Sequence, residues 1–123
     1  MDKQMKRGLR ITLLVYVIYS VVYGLLHVIV PEKLGAVDPA IERVLGAAVL
    51  GFALGAWFAY KEKSWEKAQK LVLVQIVWLV LYTITMVWGL LAGAITTMAW
   101  SSAIIGTVFA LLLLVFYIKE GNE

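Results

Sequence analysis

The first long apolar run, Ile11 to Pro31, carries no charge, yet its polar side chains recur at regular intervals. On a helix successive side chains turn by about 100°. At that spacing Thr12, Tyr16, Tyr19, Ser20, Tyr23 and His27 share one stripe, and Leu13, Leu14, Val17, Ile18, Val21, Val22, Leu25 and Val28 cover most of the rest. The pattern predicts a helix with one face for lipid and one face of hydrogen-bonding tips. Val44 to Tyr60 is a second apolar run, which Pro39 to Ile41 extends. Leu71 to Ile118 is free of charge and long enough for two more helices, since a bilayer span takes about 20 apolar residues. The expected fold is therefore all-α. It is a polytopic membrane protein with one domain over 1–123, an up-down four-transmembrane-helix bundle with helices at about 9–30, 39–60, 65–89 and 96–118.

Local signals set the boundaries. Pro31 cannot continue a hydrogen-bonded helix. Asp38–Pro39 reads as an N-cap followed by a first-turn proline, with Glu42 in the first turn, where the helix dipole favours an anion. Ser64 is the expected cap of helix 3, Trp65 an interfacial anchor, Gly89 and Gly93 the breakers after it, Thr96 or Thr97 the cap of helix 4, and Gly121 its C-cap. The first run is longer than the apolar core of a signal peptide and lacks a small-residue cleavage site before Glu32, so it is expected to be retained.

Helix 2 carries small residues every fourth position: Ala47, Gly51, Gly55 and Ala59, with Arg43 at the head of the row. Ser102, Gly106 and Ala110 make a similar ridge on helix 4. Such ridges let backbones approach closely in lipid, where shape and dispersion drive packing. Either one serves packing within the chain or a homodimer seam.

Composition agrees with the pattern. Of 123 residues 63% are hydrophobic and 15% charged, fewer charges than a soluble domain carries. The net charge of +3 reflects topology rather than nucleic-acid binding. Lys3, Lys6, Arg7 and Arg10 flank helix 1, and Lys61, Lys63, Lys67 and Lys70 lie between helices 2 and 3, whereas Lys33 and Arg43 on the opposite side are offset by Glu32, Asp38 and Glu42. The positive-inside bias then predicts that both termini are cytoplasmic in a cell-membrane protein.

Candidate chemistry is sparse. There is no cysteine and one histidine, His27, so thiol redox chemistry is excluded and a metal site buried within the spans, which needs several His, Asp or Glu ligands, would have only His27. No catalytic residue and no cofactor is assigned, and the chain is not read as an enzyme. What remains is a second polar stripe on helix 3: Gln75, Trp78, Tyr82, Thr85 and Gly89. In an up-down bundle helices 1 and 3 run parallel and face each other across the core. Tyr16, Tyr19, Tyr23 and His27 would then meet Gln75, Trp78 and Tyr82 in one outward-opening intramembrane pocket. Arg43 is expected at its mouth beside His27, as an anion anchor, or else paired with a neighbouring acid. Tyrosines and tryptophans in such a bundle also serve as plain packing.

The runs YGLLHVIVPE (Tyr23 to Glu32) and ERVLGAAVLGFALGAWFAY (Glu42 to Tyr60) resemble the small DoxX-like four-helix membrane proteins. The resemblance implies the same fold and a membrane location, and a link in some members to quinone-coupled oxidation. It assigns no catalytic residue. The functional expectation is a small membrane protein that binds an amphipathic or aromatic molecule, a lipid or quinone, between helices 1 and 3. The alternatives are an accessory subunit of a larger membrane complex and a small oligomeric transporter.

Overall fold

The structure is a computed structural model that describes residues 5–34, 38–93 and 99–121. Four helices follow in order: α1 Arg7–Ile29, α2 Pro39–Lys61, α3 Trp65–Leu91 and α4 Ala99–Gly121, with a short 3-10 turn at Pro31–Leu34 after α1. All four are long and apolar enough to cross a membrane. At about 1.5 Å per residue three of them reach about 35 Å, and α3 reaches about 40 Å.

The helix ends follow local chemistry, with exceptions. Asp38 caps α2: its carboxylate accepts from the Ala40 and Ile41 backbone N–H groups at 3.0 and 3.4 Å, and Pro39 fills the first turn. Ser64 stands at the start of α3 but makes no capping bond; its Oγ is buried without a hydrogen-bond partner among the described residues. Gly89 does not break α3, which runs two residues further to Leu91; glycine inside a helix only weakens it. The left-handed turn residue is Gly93, at φ 72°. Gly121 belongs to α4 itself, which reaches three residues past the expected Ile118. The expected caps Thr96 and Thr97 lie outside the described residues.

The bundle runs up-down-up-down, and its side-chain pairs show this directly. Arg10 lies over Tyr60, and Gly24 abuts Gly46, so α1 and α2 are antiparallel. Phe52 stacks on Trp78 between α2 and α3, and Trp65 meets Tyr117 between α3 and α4. Gly8 sits under the Phe116 ring and Tyr16 beside Phe109, which closes α4 against α1. Helices α1 and α3 are diagonal and parallel, and long side chains bridge them, among them Tyr16 to Gln75 and Tyr23 to Tyr82, both with the same offset of 59 residues.

Packing is uneven along the axis. At the end that carries the termini, Leu9, Leu13, Ala56, Ala59, Trp65, Ala68, Val72 and Leu113 form a closed apolar core. There the Glu120 carboxylate is buried and accepts the Lys6 backbone N–H at 2.5 Å, so the end of α4 caps the start of α1. Towards the loop end the last buried residue of α3 is Leu79, and Trp88 and Leu91 are 74% and 76% exposed. Helices α1 with α2 and α3 with α4 are the extensive pairings, and α1 against α4 is the slightest.

The small residues divide accordingly. A Cβ on Gly46 would lie 2.8 Å from the Gly24 carbonyl oxygen, so the α1 and α2 backbones approach closely at Gly24 and Gly46. Of the helix 2 ridge, Ala59 is buried and Gly55 packs beside the Gln75 amide, while Ala47 and Gly51 are exposed. On α4, Gly106 is buried under the Tyr82 ring and so is not free to form an outward seam.

Candidate functional site

The two polar stripes meet in the middle of the bundle. Residues 16 and 23 are seven apart, as are 75 and 82, and seven residues are close to two turns of helix. Each pair therefore points the same way, and both reach across the diagonal. Tyr16 Oη donates to Gln75 Oε1 at 3.0 Å in a fully buried contact. One turn pair higher, the Tyr23 and Tyr82 hydroxyls share a hydrogen bond of 2.7 Å. Tyr16 is 2% exposed and Gln75 1%. Buried polar tips need such partners, because an unpaired one in an apolar interior costs several kcal/mol, about 2–7 by reference state.

Between these two bridges lies a crevice of about 30 Å³, lined by Tyr16, Tyr19, Ser20, Tyr23, Val49, Trp78, Leu79, Tyr82, Ser102, Gly106 and Phe109. All four helices contribute. Aromatic rings make most of the wall: Tyr16 and Tyr19 each pack on Phe109, with ring centroids 5.3 and 5.7 Å apart, and Trp78 lies beside Tyr82 at 5.7 Å. The volume suits two or three waters, since one water needs about 10–15 Å³ of this kind of space. Below the crevice, beyond Gln75, Leu13, Val72 and Leu9 fill the core, and the buried Thr12 hydroxyl donates to the Gly8 carbonyl of its own helix.

The expected site residues thus separate into three groups. Tyr16, Tyr19, Tyr23, Trp78 and Tyr82 line one crevice, as their shared stripes suggested. Gln75 lies at its floor, held by Tyr16. Thr85, the next polar position on α3, turns back to its own helix, donating to the Leu81 carbonyl at 2.8 Å.

His27 and Arg43 stand apart, at the loop end. The His27 ring stacks on Tyr23 at 3.9 Å. Its Nδ1 is 2.8 Å from the Tyr23 carbonyl oxygen, and its Nε2 is 3.5 Å from Glu42 Oε2. Arg43 is exposed and does not enter the bundle. Its Nε donates to the Val28 carbonyl at 3.2 Å, and its Nη2 donates to Glu32 Oε1 at 2.8 Å. The fork expected to hold an anion is occupied by the Glu32 carboxylate and by the Val28 carbonyl near the end of α1, groups that attract a cation. The Glu32 carboxyl is held below the usual carboxylate range, first by its own backbone N–H and then by Arg43.

Four lining residues escaped the pattern as site candidates: Ser20, Val49, Leu79 and Phe109. Ser20 belongs to the helix 1 stripe. Phe109 had no polar stripe to mark it; its only sign in the sequence is an aromatic one turn beyond the small Gly106. Ser102, read as part of a packing ridge, faces the crevice. Compared with known protein families, with curated proteins and with solved structures, the chain shows no match.

Proposed function

We propose that this integral membrane protein binds an amphipathic small molecule, a lipid or a quinone, by its polar head in the crevice between α1 and α3. The observation that supports it is convergence. Helices α1, α3 and α4 turn polar or aromatic side chains to one point, with Val49 of α2 in the wall, and there Tyr19, Tyr23, Tyr82 and Ser102 surround a space of about 30 Å³. Pockets that engulf drug-sized ligands measure about 300–1,000 Å³. The crevice is therefore a seat for a carbonyl or hydroxyl that replaces water, and the rest of the ligand lies in the α1–α4 seam and in lipid. That seam has the slightest helix contact of the bundle, so parting it breaks the fewest dispersion contacts. Tyr19 and Phe109 stand in it and must turn to admit a ring.

The layout that resembles the DoxX-like proteins supports the same reading, and the basic flanks support cytoplasmic termini. The test is titration of the detergent-purified protein with a short-chain quinone, read by tryptophan fluorescence, with mass spectrometry of co-purified lipids. Ser102→Leu, which fills the crevice, should weaken quenching at least tenfold while Leu111→Ala on the exposed face of α4 leaves it unchanged. Equal quenching in both variants overturns the proposal. A second reading, an assembly subunit, is favoured by Gly51, which is exposed with open space where its Cβ would be. Gly51→Leu should then lower the detergent-corrected mass of the complex.

A further inference from the structure

The end of the bundle that carries the termini presents two cations that no carboxylate holds. Arg10 lies near the start of α1, and Lys61 is the last residue of α2. Among the described residues neither makes an ion pair, whereas the exposed Arg43 at the other end is held by Glu32. Aromatic rings hold them instead. The Arg10 guanidinium carbon lies 4.9 Å from the Tyr60 ring centroid, and Lys61 Nζ lies 5.9 Å from that of Trp57. Tyr60 and Trp57 are themselves stacked, 5.5 Å apart at 25°. Each ring of one stacked pair therefore carries one cation. A ring face attracts a cation through its quadrupole, without accepting the hydrogen bonds that a carboxylate would. A guanidinium brings five N–H donors and an ammonium three. Both side chains are thus steadied in place with donors to spare.

We propose that Arg10 and Lys61, resting on the Tyr60–Trp57 pair, bind the phosphate of an anionic phospholipid in the leaflet at the terminus end. The guanidinium fork matches two phosphate oxygens, and the ammonium adds a point charge. Their neighbours in sequence say what covers the site. Ile11 and Phe58 are 50% and 54% exposed, and in a membrane-spanning bundle such faces meet acyl chains. The cations stand at the ends of the same helices, at the level of the headgroups, where tryptophan and tyrosine also collect. The net charge of this end selects the lipid. Its carboxylates among the described residues are Glu62, Glu66 and Glu120, and Glu120 is already engaged by the start of α1. Basic side chains outnumber them, with Arg7, Lys63, Lys67 and Lys70 on the same end. A zwitterionic headgroup would bring an ammonium into this field, whereas an anionic one brings only the phosphate charge. The site is separate from the crevice, whose wall includes none of these four residues.

The test is native mass spectrometry of the full-length protein in mild detergent, titrated with dioleoyl phosphatidylglycerol or dioleoyl phosphatidylcholine. Wild type should bind the anionic lipid at least fivefold more tightly. Arg10→Gln should reduce that preference about fivefold, the effect of one basic side chain at a membrane surface. Lys70→Gln removes a cation of the same end that rests on no ring among the described residues, and should leave the preference within twofold of wild type. Trp57→Leu keeps every charge but removes the rest for Lys61, and should at least halve the preference. Equal affinity for the two lipids overturns the proposal, as does an undiminished preference in Trp57→Leu. Equal losses in Arg10→Gln and Lys70→Gln overturn it too, because they mark a diffuse field rather than a site. Inorganic phosphate that displaces the lipid beyond a chloride control of equal ionic strength shows a site for a free anion and likewise overturns it. Should Arg10→Gln not fold, Lys61→Gln takes its place with the same expected loss.

Discussion

The glycines of α2 allow a comparison in which one substitution meets two environments on the same helix. Gly46→Ala places a methyl 2.8 Å from the Gly24 carbonyl oxygen, 2.9 Å from Val28 Cγ2 and 3.0 Å from His27 Cβ. The first of these is backbone and cannot rotate away. Gly51→Ala places the same methyl in open space. The helix-propensity gain of glycine to alanine, about 1 kcal/mol, applies to both and cancels in the difference. What remains is the contact. To restore ordinary spacing α1 must withdraw by roughly 0.5–1 Å, which forfeits a quarter to a half of each atom pair's attraction of about 0.1–0.2 kcal/mol. Over roughly thirty pairs at the crossing that amounts to about 1–3 kcal/mol, in the range measured for overpacked cores. In lipid no hydrophobic term between helices offsets it. Unfolding in mixed micelles of increasing SDS fraction, followed by circular dichroism, should therefore find Gly46→Ala less stable than Gly51→Ala by about 2 kcal/mol. A gap below about 0.5 kcal/mol, the size of an ordinary surface effect, would refute the claim that α1 and α2 meet through these two glycine backbones.

Tyr16→Phe removes the donor to the buried Gln75 and should cost about 1–3 kcal/mol in the same assay; adding Gln75→Leu should recover part of it, because both partners are then apolar. Glu120→Ala removes the carboxylate that caps α1 and should lose about 1.5–3 kcal/mol with faster amide exchange at residues 6–9, whereas Glu120→Gln keeps an acceptor and loses less. The Glu32–Arg43 contact should be complete above the ordinary carboxyl value of 4.5 and fade as the pH falls through the lowered folded value, a sign that carboxyl-carbon NMR of Glu32 checks directly. A cysteine at Lys33 should react with an impermeant maleimide on intact cells and one at Lys63 only after permeabilisation; the reverse result inverts the proposed orientation.

Much of the fold was legible in the sequence because lipid imposes a simple rule. A backbone that crosses a bilayer must satisfy its own hydrogen bonds, so long charge-free runs dictate helices. The Pro31 stop and the Asp38–Pro39 start followed from proline's missing N–H and the carboxylate's reach to Ala40 and Ile41. The stripes of Tyr16, Tyr23, Gln75 and Tyr82 were visible because a period near 3.6 carries from sequence to face. Their meeting across the diagonal also followed, since an up-down order leaves α1 and α3 parallel.

Only the tertiary structure decided which glycines matter. Gly51 and Gly55 fit the small-residue rhythm, yet the close approach uses Gly46 and Gly24, because the helix rotation that buries Ala53 and Ala56 turns Gly51 outward. It also decided the fate of the charges at the loop end. Sequence placed Arg43 and His27 at one depth, but the rotation of α2 gave Arg43 to Glu32 and His27 to Glu42. The size of the crevice was settled the same way. A stripe fixes which side chains share a face, whereas the space left between them depends on how the rings of Phe109, Tyr19 and Trp78 fill the centre once four helices have set their distances.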